Sequence, residues 1–116
     1  MPSRSLAISI RQPYSELILR RKKKNEYRSR PTHVRGRVYI YAALTPADDP
    51  QAWGRSKGEP GDFPTGVIVG TVEIIGCRAD ARSGGFAYIL RNPKRLLKPR
   101  AAKGQPMPVF WRPRFR

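Results

Sequence analysis

Thr65-Gly66-Val67-Ile68-Val69-Gly70-Thr71-Val72-Glu73-Ile74-Ile75-Gly76 is the stretch whose reading decides the fold. Half of its residues are Val or Ile, which lose little χ1 freedom on a pleated surface and pack well there. One long strand is expected over Thr65–Gly76. Gly66, Gly70 and Gly76 interrupt it, and glycine inside a strand marks a bulge or a sharp bend of the sort small barrels use.

Outward from that stretch, other short strands appear. Towards the N-terminus, Arg37–Ala43 sets Val38, Ile40 and Ala42 against Tyr39 and Tyr41, with Gly36 supplying the turn before it. Leu6–Ile10 alternates in the same way. Between these two, Tyr14, Leu17, Ile18 and Arg21 recur at helical spacing behind Pro13, a residue suited to the first turn of a helix. A short amphipathic helix is expected over Pro13–Arg21. Tyr27–Arg30 is extended and ends at Pro31. Pro46–Trp53 has the composition of one or two helical turns, and 54–64 is a Gly/Pro loop. Towards the C-terminus, Gly84-Gly85 is a turn and Phe86–Leu90 a strand that Asn92-Pro93 breaks. Leu96–Pro106 is irregular, and Val109–Trp111 is a last short strand ended by Pro113. Five or six strands and one clear helix favour a mainly β fold, a small β-barrel with one or two helices, as a single domain over 1–116.

The 116 residues hold 24 Lys+Arg against 8 Asp+Glu, a net charge of +16. The charge divides into +9 over residues 1–40, −3 over 41–80 and +10 over 81–116. A polyanion, above all nucleic acid, is the expected partner, and the two basic ends would form one face if they lie side by side. One cysteine, Cys77, allows no internal disulfide and no multi-cysteine zinc site. One histidine, His33, removes most of the parts of a Ser-His-Asp triad or a metal hydrolase. No metal and no cofactor is expected. Cys77 reads as a buried small hydrophobe and His33 as a loop residue. No apolar run approaches the ~20 residues of a membrane span. The first residues have no secretory leader pattern, so a cytoplasmic monomer is expected.

The densest cationic run is Arg20-Arg21-Lys22-Lys23-Lys24, a solvated helix end or a phosphate-contacting patch. Glu26 stands among nine Lys/Arg between Arg20 and Arg37. The surrounding positive charge favours its ionised form. A salt bridge is its plain role. An ionised carboxylate can also accept from an exocyclic amine such as cytosine N4. Lys23 and Arg28 could orient it or meet a phosphate, and Arg30 extends the patch. Among the aromatics, Phe86, Phe110 and Trp111 read as core, whereas Trp53, ahead of the Gly-rich loop, and Tyr14 are candidates to stack on a base.

Ser9-Ile10-Arg11-Gln12-Pro13-Tyr14 followed by Glu16-Leu17-Ile18 resembles the N-terminal signature of ASCH domains, small barrels of the PUA-like superfamily. The pattern G-x-K-x-x-E-x-R continues in Lys23, Glu26 and Arg28, with Arg21 where the glycine stands. Gly36–Ala42, Gly66–Val72, Asn92-Pro93, Lys103–Pro106 and Val109–Trp111 follow in the order of small stand-alone bacterial members. The resemblance implies a cleft beside the first helix that receives RNA, in preference to DNA, or a modified base. Lys23, Glu26 and Arg28 would line the cleft, with Gln12 at its edge and Glu73 as a second carboxylate nearby. Some members resemble N4-acetylcytidine amidohydrolases or ribonucleases, so Lys23, Glu26 and Glu73 are also candidate catalytic residues. The amidohydrolases use a Thr where this chain has Glu26, and a carboxylate does not replace a hydroxyl nucleophile. Three readings stay open: an RNA-binding module, a hydrolase acting on a nucleoside or RNA, and a basic interaction domain for the ribosome or an acidic protein.

Overall fold

A computed structural model describes residues 6–104 and 109–115. The elements run β1 (Ala7–Ile10), α1 (Tyr14–Leu19), β2 (Asn25–Arg28), β3 (Gly36–Ala42), α2 (Pro50–Ser56), β4 (Val67–Asp80), β5 (Gly85–Arg100), β6 (Ala102–Lys103), β7 (Phe110–Trp111) and β8 (Arg114–Phe115). Six strands form one sheet in the order β2-β5-β4-β3-β1-β7, and β6 pairs with β8 in a two-stranded sheet. β1 and β3 are parallel, and the other pairs are antiparallel. The expected mainly β architecture with two helices is present. The six-stranded ladder is open, because no pairing among the described residues joins β7 back to β2.

Strand alternation sorts the sheet into two faces. One face carries Ile8, Ile10, Val38, Ile40, Val72, Ile74, Tyr88 and Leu90 in a core closed by Ile18 of α1. The other carries Ala7, Tyr41, Ile68 and Trp111, with Tyr39, Leu96 and Phe115 packed on them. Both faces are thus apolar, which is why the central β4 reads as a nearly unbroken Val/Ile run.

The bends expected at the β4 glycines are present as register shifts between Ile68 and Gly70 and between Ile74 and Gly76. A Cβ on Gly70 would run into the backbone oxygen of Lys94 and come within 2.6 Å of Leu19 Cδ2. Asn92-Pro93 does not end β5, contrary to the sequence expectation. Glu73 pairs with Arg91 and Thr71 with Lys94, so Asn92 and Pro93 together face Val72 in a bulge. Asn92 supplies the left-handed backbone (φ 53), and the missing N–H of proline costs nothing outside the ladder. The stretch expected to be irregular from Leu96 is therefore strand as far as Arg100, although residues 96–99 stand against Val69 alone. Ala102–Lys103 within that stretch is strand as well, and its last two residues, Gln105 and Pro106, lie outside the described residues. The Val109–Trp111 strand ends before Pro113 as expected, but it is not the last, since β8 follows.

The helices are shorter than expected or displaced. α1 ends at Leu19 because Arg21 takes a left-handed conformation (φ 64). α2 starts at Pro50 because Asp49 caps it, its carboxylate accepting from the Ala52 N–H at 3.0 Å. Cys77 is only partly buried, at the edge of the α1-side core, rather than enclosed. Among the described residues no helix is long and apolar enough to cross a membrane.

Candidate nucleic-acid interface

β2 is an edge strand of the six-stranded sheet, and its register with β5 sets Glu26 opposite Tyr88. Opposed residues share a face, so Glu26 lies on the α1 side of the sheet with Tyr88 and Leu90. Glu26 is 7 % exposed. Arg28 donates from Nε to Glu26 Oε2 at 3.0 Å and from an Nη to the Ser9 carbonyl at 2.7 Å. That second bond anchors Arg28 to β1. Lys23, at the turn into β2, places Nζ 3.7 Å from Glu26 Oε1. At that length the contact is an ion pair rather than a hydrogen bond, so Oε1 retains lone-pair capacity.

Lys23 Nζ also sits 5.1 Å from the Tyr14 ring centroid and 5.0 Å from that of Tyr27. Burial pushes the Lys23 ammonium below its ordinary pKa, and the attraction of Glu26 offsets only part of that. Tyr14 donates to Asp49 at 2.6 Å. Burial, and then that hydrogen bond, raise its hydroxyl to about 12. Tyr14, Lys23, Glu26, Tyr27 and Arg28 thus form one cluster at the edge of the sheet. It offers a fixed carboxylate, a desolvated amine, a guanidinium and a half-exposed aromatic ring.

Other expected site residues lie elsewhere. Glu73 pairs in register with Arg37 and alternates with Val72 and Ile74, which puts it on the opposite face of the sheet from Glu26. There it forms an ion pair with Arg37 at 3.6 Å and accepts from the Asn92 side-chain amide. Gln12 is 1 % exposed; its Oε1 accepts from the Glu16 N–H and its Nε2 donates to the Pro64 carbonyl, so it pins the start of α1 rather than edging a cleft. Trp53 is buried, donates to the Ala47 carbonyl at 2.9 Å and stacks on Phe63 with centroids 5.9 Å apart. Its ring face is occupied from within. Arg20 bridges Glu16, the Ser56 carbonyl and the Phe63 ring, tying α1 to α2 and its loop. Arg21, Lys22, Lys24 and Arg30 are exposed.

Two residues of this region carried no distinct signal in the sequence. Asp49 caps α2, and it also holds Tyr14, a contact across 35 positions that no spacing reveals. Arg91 is brought near by its neighbour Leu90, whose N–H donates to the Lys24 carbonyl at 2.9 Å. It joins Arg21, Lys23 and Lys24 around a cavity of about 200 Å³ floored by Ile18, Val72 and Leu90. Arg91, of the basic C-terminal third, thus lines that cavity with three cations of the basic N-terminal third.

The ASCH domain family model matches residues 8–88, a span that contains the whole Tyr14–Arg28 cluster. Activating signal cointegrator 1 from Homo sapiens and its counterpart from Mus musculus are each 28% identical over 85% of this chain. The match covers 21% of their own length, so the chain spans about a fifth of the curated relatives it matches. Family match, fold and the order of motifs agree: the chain belongs to the ASCH domain family.

Proposed function

We propose that this chain is a nucleic-acid-binding module, RNA in preference to DNA, and that its Tyr14–Arg28 cluster seats one base. The observation that carries the reading is the Glu26 carboxylate, buried yet oriented by Arg28, with Oε1 able to accept from an exocyclic amine. Tyr27, 47 % exposed beside it, offers a stacking surface worth about 1–3 kcal/mol per base. The net charge of +16 supplies affinity without selectivity, and the cluster supplies selectivity.

Fluorescence anisotropy with short single-stranded RNA and DNA tests the reading. Affinity is expected to fall steeply between about 50 and 200 mM salt, with a log–log slope of about −0.7 per phosphate contacted. Glu26→Gln is expected to alter the preference among homopolymers while leaving the salt slope unchanged. An affinity that ignores salt, or a Glu26→Gln protein with unaltered base preference, overturns it.

A hydrolytic second reading has one observation in its favour, the desolvated Lys23 amine 3.7 Å from the Glu26 carboxylate, whose burial favours its uncharged form. Glu73 stands on the other face of the sheet and does not share the site, so Lys23 and Glu26 would act without it. Incubation with N4-acetylcytidine and with a mixed RNA pool decides this reading. Product that Lys23→Met abolishes supports it, and intact substrate after hours removes it.

A further inference from the structure

The far half of β5 carries a surface that the Glu26 cluster does not use. Gly70 pairs with Arg95 and Ile68 with Arg100, so residues 96–99 stand against Val69 alone and loop out of the ladder. Both limbs of this loop are fastened. Arg95 forms a bidentate pair with Glu16 of α1, and the Arg100 guanidinium lies 4.0 Å from the Phe115 ring centroid. Leu96 packs on the core of Tyr41, Ile68 and Trp111, while Leu97 beside it is fully exposed. The fold thus holds an aliphatic side chain out in water on an anchored loop, where burial against apolar matter is favourable.

The cations near this leucine are a second, independent observation. Lys98 is its neighbour in the chain, and Arg100 closes the loop. Arg100 rests on Phe115, which pairs with Ala102, and the same register sets Lys103 directly opposite Arg114. Lys98, Arg100, Lys103 and Arg114 are all exposed. Like charges opposed on paired strands repel. Residues 81–116 contain no Asp or Glu, and none of the ion pairs among the described residues involves these four cations. Phe115 and Leu96 pack on the core of the sheet face opposite Glu26, so this surface is separate from the base-reading cluster.

An anionic partner relieves the repulsion, and the exposed leucine calls for an apolar one. A nucleic-acid backbone supplies only the first. An anionic bilayer supplies both, acidic headgroups outside and acyl chains beneath. We propose that Leu97, Lys98, Arg100, Lys103 and Arg114 dock the protein on an anionic membrane surface. Leu97 enters the boundary between headgroups and acyl chains, and the four cations rest on acidic headgroups. The protein lies on the membrane and does not cross it. One aliphatic side chain is a weak anchor by itself, so leucine and cations act together and the attachment is reversible.

Co-sedimentation of the full chain with phosphatidylcholine vesicles, with and without phosphatidylserine, tests the proposal. Binding is expected only where phosphatidylserine is present, and it should weaken as salt is raised. Leu97→Ser is expected to weaken vesicle binding about tenfold, and Lys98→Gln and Arg114→Gln about fivefold each. Leu97→Ser should melt with the parent, because the side chain it shortens is already in water. Arg82→Gln, on the β4–β5 turn, removes the same charge and should leave binding unchanged. Leu97→Trp should show a blue-shifted emission on phosphatidylserine vesicles, against the constant signal of the buried Trp53 and Trp111. Binding that ignores phosphatidylserine, full binding by Leu97→Ser, equal weakening by Arg82→Gln, or Leu97→Trp emission that stays at its value in buffer each overturn the proposal. A Leu97→Ser protein that loses RNA affinity as much as vesicle affinity also overturns it and assigns the loop to nucleic acid. Loss of base preference in Glu26→Gln with vesicle binding intact shows the two surfaces to be independent, as their opposite faces require.

Discussion

Replacing Glu16 with Gln perturbs the joint that holds α1, and with it Tyr14 and Lys23, against the sheet. Glu16 is 6 % exposed and accepts three charge-assisted hydrogen bonds. Arg20 Nε donates at 2.7 Å, and Arg95 donates from both terminal nitrogens at 2.8 Å in a bidentate pair. Bonds of this kind contribute about 1.5–3 kcal/mol each before correction. The Arg20 and Arg95 side chains are 32 % and 49 % exposed, so both guanidiniums regain water when released. Gln also keeps one carbonyl acceptor. Discounted for these effects, the net loss is about 2 kcal/mol, a fall in Tm of about 8–12 °C for a domain of this size. Thermal melts of Glu16→Gln measure it. Glu59→Gln, an exposed site with the same change of charge, should stay within about 0.5 kcal/mol of the parent.

The pH dependence separates charge from shape. Burial works to raise the Glu16 carboxyl, but the bonds from Arg95 and Arg20 outweigh it and hold it below its ordinary 4.5. A carboxyl depressed by folding stabilises fully above its unfolded value and loses that contribution as pH falls through the folded one. The gap between parent and Glu16→Gln should therefore be widest near neutrality and shrink as the medium is acidified below about 4.5. A gap that holds constant or widens on acidification would refute the reasoning. So would a double-mutant cycle with Arg95→Gln showing no coupling, since contacting charged pairs couple by about 0.5–3 kcal/mol.

Asp49→Ala removes the cap of α2 and the acceptor of Tyr14 together, and urea melts should show a midpoint below the parent's. Tyr14, with its hydroxyl raised to about 12, favours the fold while protonated, so stability should fall as pH rises from 10 to 12. Tyr14→Phe should flatten that alkaline limb, and an unchanged limb in the variant would assign it elsewhere. Gly70→Ala forces a Cβ onto the Lys94 backbone and should cost about 2–3 kcal/mol. Gly54→Ala, where a Cβ meets nothing, should cost nothing in the same melts.

Local chemistry made several features legible. β-Branched runs marked β3 and β4 because that side-chain shape suits a pleated surface wherever the strand ends up. Lys23, Glu26 and Arg28 come together because they lie within six residues on one turn and one strand, so short-range geometry suffices. The boundaries failed where a residue's usual meaning was overridden by its place in the ladder. Asn92-Pro93 reads as a break, yet it sits in a bulge where neither a missing N–H nor a left-handed backbone costs pairing. Trp53 reads as a surface aromatic beside a flexible loop, yet Phe63 from that same loop folds back over it.

The sequence alone determined a basic, mainly β domain with an isolated acid at Glu26, because composition and nearest-neighbour periodicity are properties of the chain itself. Register decided the rest. It sent Glu73 to the face opposite Glu26, since alternation reverses a side chain's face at every residue. It also carried Arg91 to the cavity of Arg21 and Lys24, because the pairing of β2 with β5 joins segments about sixty positions apart. Which charges share a site is a property of strand pairing, and strand pairing is settled only when the whole sheet closes on its two cores.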